Sequence, residues 1–306
     1  MPADPRLDQL DLNLLMPLDA LLTEQHVTRA AARLNMGQPG MSSALGRLRR
    51  LFDDELLVRN GRTFGLTPLA QALVTPVRDA ITSLERILMT RPRFDPATDR
   101  RTFRVIASDY LTVVLLRPLL ARLFDDAPSV SIDIAPIFPG YATTLERALV
   151  DLLILPAEIL EASLDDMSCQ ELFTDRYVCA VSRDNARVTG GTFPADQLST
   201  MPYVECSQNL VRSFADNQLD DLHIRRNTAL STQNFIMAPF LLPGTPMFTL
   251  ALERLMSRPE YEAVRTLESP VELRPITETM YWHPTFDSDP GHRWFRERLG
   301  LLAAEL

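Results

Sequence analysis

The segment that most constrains this chain runs from Val27 to Leu66, where two short helical patterns are joined by a turn and followed by a hairpin pattern. In the second helical pattern apolar residues recur at Met41, Leu45 and Leu48, a spacing that predicts one buried face of an α-helix. Pro39 suits the first turn of this helix, where a backbone N–H would be unpaired anyway. One side of the helix is therefore expected to pack inward and leave the other side exposed.

The outward side of this helix carries only polar or basic side chains of a particular kind: Gln38, Ser42, Ser43, Arg47 and Arg50. Amides, hydroxyls and guanidinium groups are the side chains that read base edges and bind phosphates. A solvated face on an ordinary surface helix is the alternative for a single amphipathic helix. The neighbouring segments favour the nucleic-acid interpretation.

Residues 28–34 read as a short helix with Thr28 as its cap, and residues 35–37 as a turn in which Gly37 is free to adopt left-handed geometry. A third apolar helix is expected over residues 12–22. Residues 55–67 predict a two-stranded hairpin with an Asn60-Gly61 turn and arginines near its tip. Three helices followed by such a hairpin form a winged helix-turn-helix.

This run resembles the DNA-binding domain of LysR-type transcriptional regulators, through residues 28–34, Gln38-Pro39 before Ser42, Asp54-Glu55-Leu56 with Arg59, and Leu66-Thr67-Pro68. Gly37 stands where serine is usual, and Leu48-Arg49 replaces a frequent Leu-Glu. These departures, with Ser108-Asp109-Tyr110, look most like the branch of nodulation and aromatic-responsive regulators. The resemblance implies that double-stranded promoter DNA contacts Thr28, Arg29, Gln38, Pro39, Ser42, Ser43, Arg47, Arg50, Arg59 and Arg62.

The net charge of −9 argues at first sight against a nucleic-acid partner. The charge is unevenly distributed, however, because residues 28–66 hold seven arginines against three acids, a net of +4, and the remainder carries −13. A basic module on an acidic body concentrates phosphate attraction in one place. The charge pattern is therefore consistent with a DNA-binding module attached to a body of another role.

A helix is predicted from Thr67-Pro68, with Thr67 as cap and Pro68 in the first position. Its apolar residues follow a nearly heptad spacing, which favours pairing with a second copy of the helix: Leu69, Leu73, Val77, Ala80, Leu84 and Ile87. A single helix packed on its own domain is the alternative. Pro76 predicts a kink or a lost hydrogen bond. We therefore expect a winged helix-turn-helix at 1–67 and a dimerising linker helix at 68–92.

Beyond this helix, strand and helix patterns alternate, which predicts an α/β body with a parallel sheet covered by helices. Buried strands are expected at 103–108, 130–135 and 151–155, a second unit begins near Glu171, and the chain returns at 279–282. The order is similar to the two-lobed, periplasmic-binding-protein-like effector domain of LysR-type regulators. This implies an effector domain at 93–306, with lobe I about 101–165 and 273–306 and lobe II about 166–272.

In folds of this class ligands bind at the carboxyl ends of strands, in the crevice between lobes. Two serines at predicted helix N-termini, Ser108 and Ser207, suit an anion, whereas aromatic side chains suit an aromatic ligand. A plain N-cap is the alternative role for each serine. The strand ends, with the family resemblance, select as effector-binding candidates Ser108, Asp109, Phe138, Pro156, Ser207, Gln208, Asn209 and Phe235.

Other classes of function are disfavoured. The four histidines are scattered, and there is no metal, phosphate-loop or nucleophile-elbow motif, so neither an enzyme nor a cofactor is expected. The three cysteines lack metal-ligand spacing, which favours buried reduced thiols over redox sensing. A solute-binding receptor is the more serious alternative, but a signal peptide and a spanning segment are absent. We expect a cytoplasmic, homodimeric or homotetrameric regulator that responds to an aromatic or organic-acid effector.

Overall fold

The computed structural model describes residues 11–60, 63–89, 93–159, 164–208 and 211–306. The chain forms two compact units, Met1–Thr90 and Arg91–Leu306. No helix in the described ranges is long and apolar enough to cross a membrane.

The first unit is a three-helix core with a hairpin and a long final helix. A 3₁₀ turn at Leu12–Leu14 leads into the regular elements, which are α1 Leu15–Glu24, α2 Val27–Arg33, α3 Gln38–Phe52, β1 Leu57–Asn60, β2 Thr63–Leu66 and α4 Pro68–Met89. The apolar face predicted for α3 is buried as Met41, Leu45 and Leu48, and Ala44 joins it. Apolar residues of α1, α2 and α4 complete this core.

Two details of the helix-turn-helix differ from the prediction. Helix α2 is capped by His26, whose Nδ1 accepts the backbone N–H of Thr28 at 3.2 Å, so Thr28 is not the cap. The left-handed residue of the turn is Asn35, with φ of 52°, because its short amide tolerates this region. Gly37 instead precedes α3 with φ of −69°.

The hairpin and α4 are joined by a small hydrogen-bonded cluster. Thr67 Oγ1 accepts the N–H of Ala70 at 3.1 Å and donates to Asp54 Oδ1 at 2.6 Å, which makes Thr67 the cap of α4 as predicted. The strand register pairs Asn60 with Thr63, so Asn60 belongs to β1 rather than to the turn. Gly61 of the predicted turn lies outside the described residues.

Helix α4 runs through Pro76 and turns one face into the core of the first unit. Val77, predicted for the dimer seam, is buried there with Ala70, whereas Leu69 and Leu84 are 38% and 39% exposed. Helix α4 therefore packs on its own domain through one face and leaves two leucines of the predicted seam exposed, and pairing with a second copy stays a prediction.

The second unit has two mixed sheets, each with helices. The first sheet has the strand order β4-β3-β5-β13-β6, from β3 Arg101–Ile106, β4 Val130–Ala135, β5 Leu152–Pro156, β6 Ser168–Asp175 and β13 Ile276–Trp282. Its helices are α5 Asp109–Leu111, a π-helical turn Thr112–Leu116, α6 Arg117–Asp126, α7 Tyr141–Glu146 and α12 Pro290–Ala303.

The strands of the second sheet are β7 Tyr177–Ser182, β8 Pro202–Gln208, β9 Val211–Arg212, β10 Asn227–Thr232, β11 Phe248–Leu252 and β12 Val264–Leu267. Their order is β10-β8-β11-β7-β12, with the short β9 beside β8. Four short helices accompany them, α8 Gln197–Thr200, α9 Phe214–Asp221, α10 Met237–Phe240 and α11 Glu253–Met256.

Neither sheet is wholly parallel, contrary to the prediction. Strand β13 runs antiparallel to both β5 and β6, and β7 runs antiparallel to both β11 and β12. The chain reaches β7 directly from the first sheet and reaches β13 directly from the second sheet. The direction of these two strands therefore follows from the crossing between lobes rather than from a βαβ unit. The strand Ser168–Asp175 belongs to the first sheet, which moves the lobe boundary from about 166 to Arg176.

Candidate DNA-binding surface and ligand cleft

The outward face of α3 is exposed as predicted. Helix α3 buries its apolar stripe, so the residues between the stripe positions face solvent: Gln38, Pro39, Ser42, Ser43, Arg47 and Arg50. The N-terminal end of α3 presents uncapped backbone N–H groups, since Gly37 offers no side-chain acceptor. This end therefore combines hydrogen-bond donors with a favourable field for phosphate.

Two arginines of the first unit are committed to the fold. Arg33 pairs with Asp19 at 2.9 Å, and Arg49 pairs with Glu55 at 2.8 Å while donating to the carbonyl of Glu55. These contacts tie α2 to α1 and α3 to the start of the hairpin. They leave other arginines for a partner.

Arg47 is half exposed and pairs with Asp11 at 2.5 Å. Hydrogen bonds from Asn13 and Arg47 keep the pKa of Asp11 below its usual range, so Asp11 is ionised at neutral pH. A solvent-exposed ion pair of this kind contributes little to stability. A phosphate or a guanine edge therefore competes readily for Arg47.

The remaining predicted DNA contacts are less fully defined. Thr28 and Arg29 are exposed on α2, where Arg29 approaches Glu24 at 3.6 Å. The backbone of Arg59 lies in β1 opposite Phe64, but its side chain is outside the described part of the chain. Arg62 also lies outside the described residues. Sequence reasoning missed Phe64 and Val58, apolar residues exposed on the same hairpin.

A second candidate site is a cavity of about 70 Å³ between the two lobes of Arg91–Leu306. Of the predicted effector residues, Ser108, Pro156 and Phe235 line it. These residues come from both lobes, at the carboxyl ends of β3 and β5 and in the segment before α10. The strand-end rule therefore located the cleft.

Asp109 lies beside the cavity and joins the two lobes. Its Oδ2 accepts the backbone N–H of Ile236 at 3.1 Å, and its Oδ1 accepts the N–H of Tyr110 at 2.9 Å. Burial raises the pKa of Asp109, while these hydrogen bonds act in the opposite direction. Asp109 is thus a bridge between lobes rather than part of the cavity wall.

Ser108 is a helix cap, as its alternative interpretation held. Its Oγ accepts the N–H of Leu111 at 3.2 Å, and the neighbouring N–H of Tyr110 already donates to Asp109. Two backbone donors that a bound anion would need are therefore occupied by side chains. Ser108 lines the cavity without forming the anion site that was expected.

Ser207 was predicted to open a helix, but it lies within β8 and pairs with Arg212 of β9. The helix opens later, at Ser213, whose Oγ accepts the N–H of Asp216 at 3.0 Å and donates to Asp216 Oδ2 at 2.7 Å. Ser213 lines the cavity in place of Ser207. The backbone of Gln208 ends β8, its side chain is not described, and Asn209 lies outside the described residues.

Phe138 does not reach the cavity, because it packs against the cluster around Tyr141 and Leu145. Ile137, one residue earlier, lines the wall instead. Adjacent residues after a strand point in different directions, so a one-residue uncertainty moves a side chain from the cleft into the core.

The strongest polar feature of the cavity is Glu278, which sequence reasoning missed. It is 1% exposed and lies in β13, and its Oε2 has no hydrogen-bond partner among the described residues. Burial raises its pKa to about 8, and Glu158 and Asp175 act in the same direction. Its signal in the sequence was weak, because Glu278 is in phase with the buried Ile276 and Met280 but stands between Thr277 and Thr279.

The hydroxyl of Tyr110, another polar group of the cavity, is already engaged as a donor. The hydroxyl of Tyr110 donates to Asp175 Oδ2 at 2.6 Å, and burial followed by that carboxylate raises the pKa of Tyr110 far above its usual value. The rest of the wall is mainly apolar and includes Phe214, Leu250 and Leu255. The cavity thus combines an apolar body with a few polar atoms.

The cysteines give no support for redox chemistry in the core. Cys179 and Cys206 are buried, and burial raises the pKa of each thiol to about 12, which suppresses the reactive thiolate. Cys169 is exposed, contrary to the expectation that all three would be buried. The described residues contain no group of three or more histidine, cysteine or acidic side chains placed to hold a metal ion.

A basic, exposed recognition helix beside a β-hairpin, and a separate two-lobed body with a cleft, define a ligand-binding regulator that contacts DNA. Two family profiles match the chain: the bacterial regulatory helix-turn-helix protein of the lysR family at residues 12–71, and the LysR substrate binding domain at 96–302. The chain belongs to the LysR family of DNA-binding transcriptional regulators.

Relatives of known name agree with the nodulation branch suggested by the sequence. Nodulation protein D 2 of Bradyrhizobium sp. (strain NC92) is 33% identical over 96% of this chain and 87% of its own length. Nodulation protein D 1 of Rhizobium tropici is 35% identical over 98% of this chain and 99% of its own. Membership of a family of transcriptional regulators agrees with the prediction that the chain is not an enzyme.

Solved structures support the same fold. A probable transcriptional regulator of Pseudomonas aeruginosa is 28% identical with a TM-score of 0.76, covering 96% of this chain and 98% of that one. The LysR family regulator CbnR, in complex with its target DNA, is 14% identical with a TM-score of 0.70, covering 97% and 99%. The fold class predicted from the sequence is confirmed.

Proposed function

We propose that this regulator reads a specific promoter sequence through α3 and changes its activity when a small effector enters the cleft between the lobes. The observation that carries the DNA-binding half is the exposed face of Gln38, Ser42, Ser43 and Arg47 on a helix whose opposite face is fully buried. A helix presented in this way fits the major groove of B-DNA.

Within this interface the residues take different roles. Arg47 and Gln38 have the length and donors to reach base edges, whereas Ser42 and Ser43 suit bases or the nearest phosphates. Thr28 and Arg29 on α2, Arg50 at the far end of α3, and the hairpin arginines Arg59 and Arg62 are proposed to contact the backbone or the adjacent minor groove. Such contacts fix register and carry little sequence information.

The regulator is further proposed to act as a homodimer or homotetramer in the bacterial cytoplasm, where its DNA target lies. Leu69 and Leu84 are exposed along α4 and fit a partner helix. A dimer places two recognition helices about one helical turn of DNA apart, which suits a pseudo-palindromic site. Effector binding would bias the lobes between arrangements and so change how the dimer fits that site.

Of the two effector classes expected from the sequence, the cleft favours the one with an aromatic, apolar body. Phe214 and Phe235 supply aromatic walls, and the helix N-termini that would hold an organic acid are capped by Ser108 and Ser213. The cavity is smaller than the roughly 300–1,000 Å³ of typical ligand sites. A complete effector therefore needs the lobes to part.

The test of the DNA-binding proposal is Arg47→Ala. A preferred site is first selected from random DNA with the full chain, and affinity is then measured by gel shift at fixed salt. Losing one base or phosphate contact is expected to weaken specific binding by roughly tenfold or more. Arg78→Ala removes an exposed arginine of α4 and is the matched control, since Arg78 only approaches Asp19 at 3.9 Å. Equal affinities of the two variants would remove Arg47 from the interface.

A further inference from the structure

Glu278 is a buried carboxyl with unused hydrogen-bonding capacity. Its side chain lines the cavity between the lobes, and its Oε2 has no partner among the described residues. Buried polar atoms are nearly always hydrogen-bonded, and one left unpaired in an apolar wall is destabilising. The position is therefore suited to a group that arrives with a ligand.

Two hydroxyls of the cavity wall are already used as donors. The hydroxyl of Tyr110 donates to Asp175, and the hydroxyl of Ser213 donates to Asp216 while its oxygen accepts the N–H of Asp216. Neither hydroxyl therefore has a hydrogen left for Oε2 of Glu278. A ligand group that pairs with Oε2 must bring its own hydrogen.

The electrostatic surroundings point the same way. No arginine or histidine is among the described side chains that line the cavity, whereas the carboxyl groups of Glu158 and Asp175 act on Glu278. Asp109 stands at the edge with a raised pKa. A carboxylate ligand would lie near Glu158 and Asp175, and no described lining side chain is a cation that offsets the repulsion.

We propose, resting on the cleft being the effector site, that it selects ligands with an apolar body and a hydrogen-bond donor directed at Glu278, a hydroxyl or a protonated amine, and that it excludes organic anions. The apolar walls take the body of the ligand, and Glu278 fixes its orientation. A hydroxyl and an ammonium share this donor chemistry, and the experiment separates them.

Three probes with the same ring isolate the polar group: phenol, benzylamine and benzoate. Binding to the full chain is measured by saturation-transfer NMR and by titration at pH 7. We expect phenol or benzylamine to bind at least tenfold more tightly than benzoate. Tighter binding of benzylamine identifies a cationic donor, and tighter binding of phenol identifies a neutral one. Benzoate binding as tightly as the donors, or no binding by any probe, would overturn the proposal.

Glu278→Leu provides the second arm, with its folding checked by thermal unfolding. Leucine keeps much of the volume but removes both oxygens, so the preferred donor is expected to lose tenfold or more in affinity. Glu171→Leu is the matched control, because Glu171 is exposed on the neighbouring strand β6. Equal affinities of the two variants would contradict the role of Glu278. The wild-type comparison of probes does not depend on the variant folding.

The two proposals fail separately. DNA affinity is measured on the same preparations without any probe. Normal specific DNA binding with benzoate preferred, or with no probe bound, removes the donor rule and leaves the DNA-binding role intact. Absence of specific DNA binding together with the donor preference removes the DNA-binding role and leaves the donor rule intact.

Discussion

Glu278 ties the folding stability of the second unit to pH. Its folded-state pKa is raised from 4.5 to about 8, chiefly by burial and then by Glu158 and Asp175. Below about pH 4.5 both states hold the proton and the contribution is complete. As pH rises towards 8 the unfolded chain releases the proton and the folded chain keeps it, so the free energy of unfolding falls. The loss is on the order of 5 kcal/mol when complete.

Glu278→Gln is therefore expected to flatten this pH dependence. Urea unfolding at pH 5 and pH 8 should show the variant gaining on the wild type at the higher pH, because the amide has no proton to lose. Glu171→Gln, on the exposed side of β6, should follow the wild type. If the wild type and Glu278→Gln lose equal stability between the two pH values, Glu278 does not carry the effect.

Single residues also show what the sequence could predict at the site. The exposed face of α3 follows from the spacing of its apolar residues alone. When Met41, Leu45 and Leu48 are buried on one side of the helix, the residues of the other side must face solvent. Glu278 could not be assigned in that way. Its burial depends on which residues of lobe II lie opposite β13, and no local pattern encodes that.

Among the elements, helices were predicted better than sheets. Thr67 caps α4 as predicted, and Asp289 caps α12 in the same way through the N–H of His292. Caps involve residues within one turn, so sequence reasoning reaches them. Strand direction in the sheets depends on where the chain returns after a long excursion, which is why the parallel arrangement was wrong.

Gly291 on α12 is required by close packing. A Cβ there would stand 2.6 Å from Nη1 of Arg101 and 3.1 Å from the ring of Phe94. Arg101 is itself held by Asp289 at 2.6 Å and Asp151 at 3.4 Å, so it has little room to move.

Gly291→Ala is accordingly expected to destabilise the second unit by roughly 2–4 kcal/mol. Chemical unfolding followed by tryptophan fluorescence provides the measurement, since Trp294 packs on Phe94. Gly300→Ala is the control on the same helix, where the added methyl meets only the terminal amide of Gln170. A loss in Gly300→Ala as large as in Gly291→Ala would contradict the packing argument.

Helix α4 permits a test of the proposed dimer. Leu84 is exposed along the predicted seam, so Leu84→Glu should weaken self-association at least tenfold, because it places a charge in an apolar contact. Sedimentation equilibrium measures the change. Thr75→Glu adds the same charge to another exposed position of α4 and should leave association unaltered. Unchanged association of Leu84→Glu would exclude this face as the dimer contact.

At the scale of the whole molecule, two compact units predict that unfolding is not a single two-state step. Calorimetry should show two transitions that respond to different substitutions. Gly46→Ala in α3 meets nothing within 4 Å and should raise the transition of the first unit, because alanine favours a helix by about 1 kcal/mol. Gly291→Ala should lower only the other. A single transition shifted by both variants would refute independent unfolding.

The domain order of the whole chain was recoverable from its sequence, whereas the lobe boundary was not. The change from helical to alternating patterns marks the start of the second unit. By contrast, β6 and β7 are separated only by Arg176, so no change in sequence composition marks the point where the chain passes from one lobe to the other. Arg176 itself binds Glu253 and Glu268.

The position of β13 has a consequence for how the protein is made. Strand β6 has β13 as its neighbour in the first sheet, and all of residues 177–267 are synthesised between them. During translation β6 therefore remains an unpaired edge strand until β13 is synthesised, and by then every strand of the lobe II sheet has already been made. Strand β13, which carries Glu278, is the last strand to be synthesised. A chain truncated before Ile276 therefore retains the unit with the proposed DNA-binding helix but lacks a complete cleft for an effector.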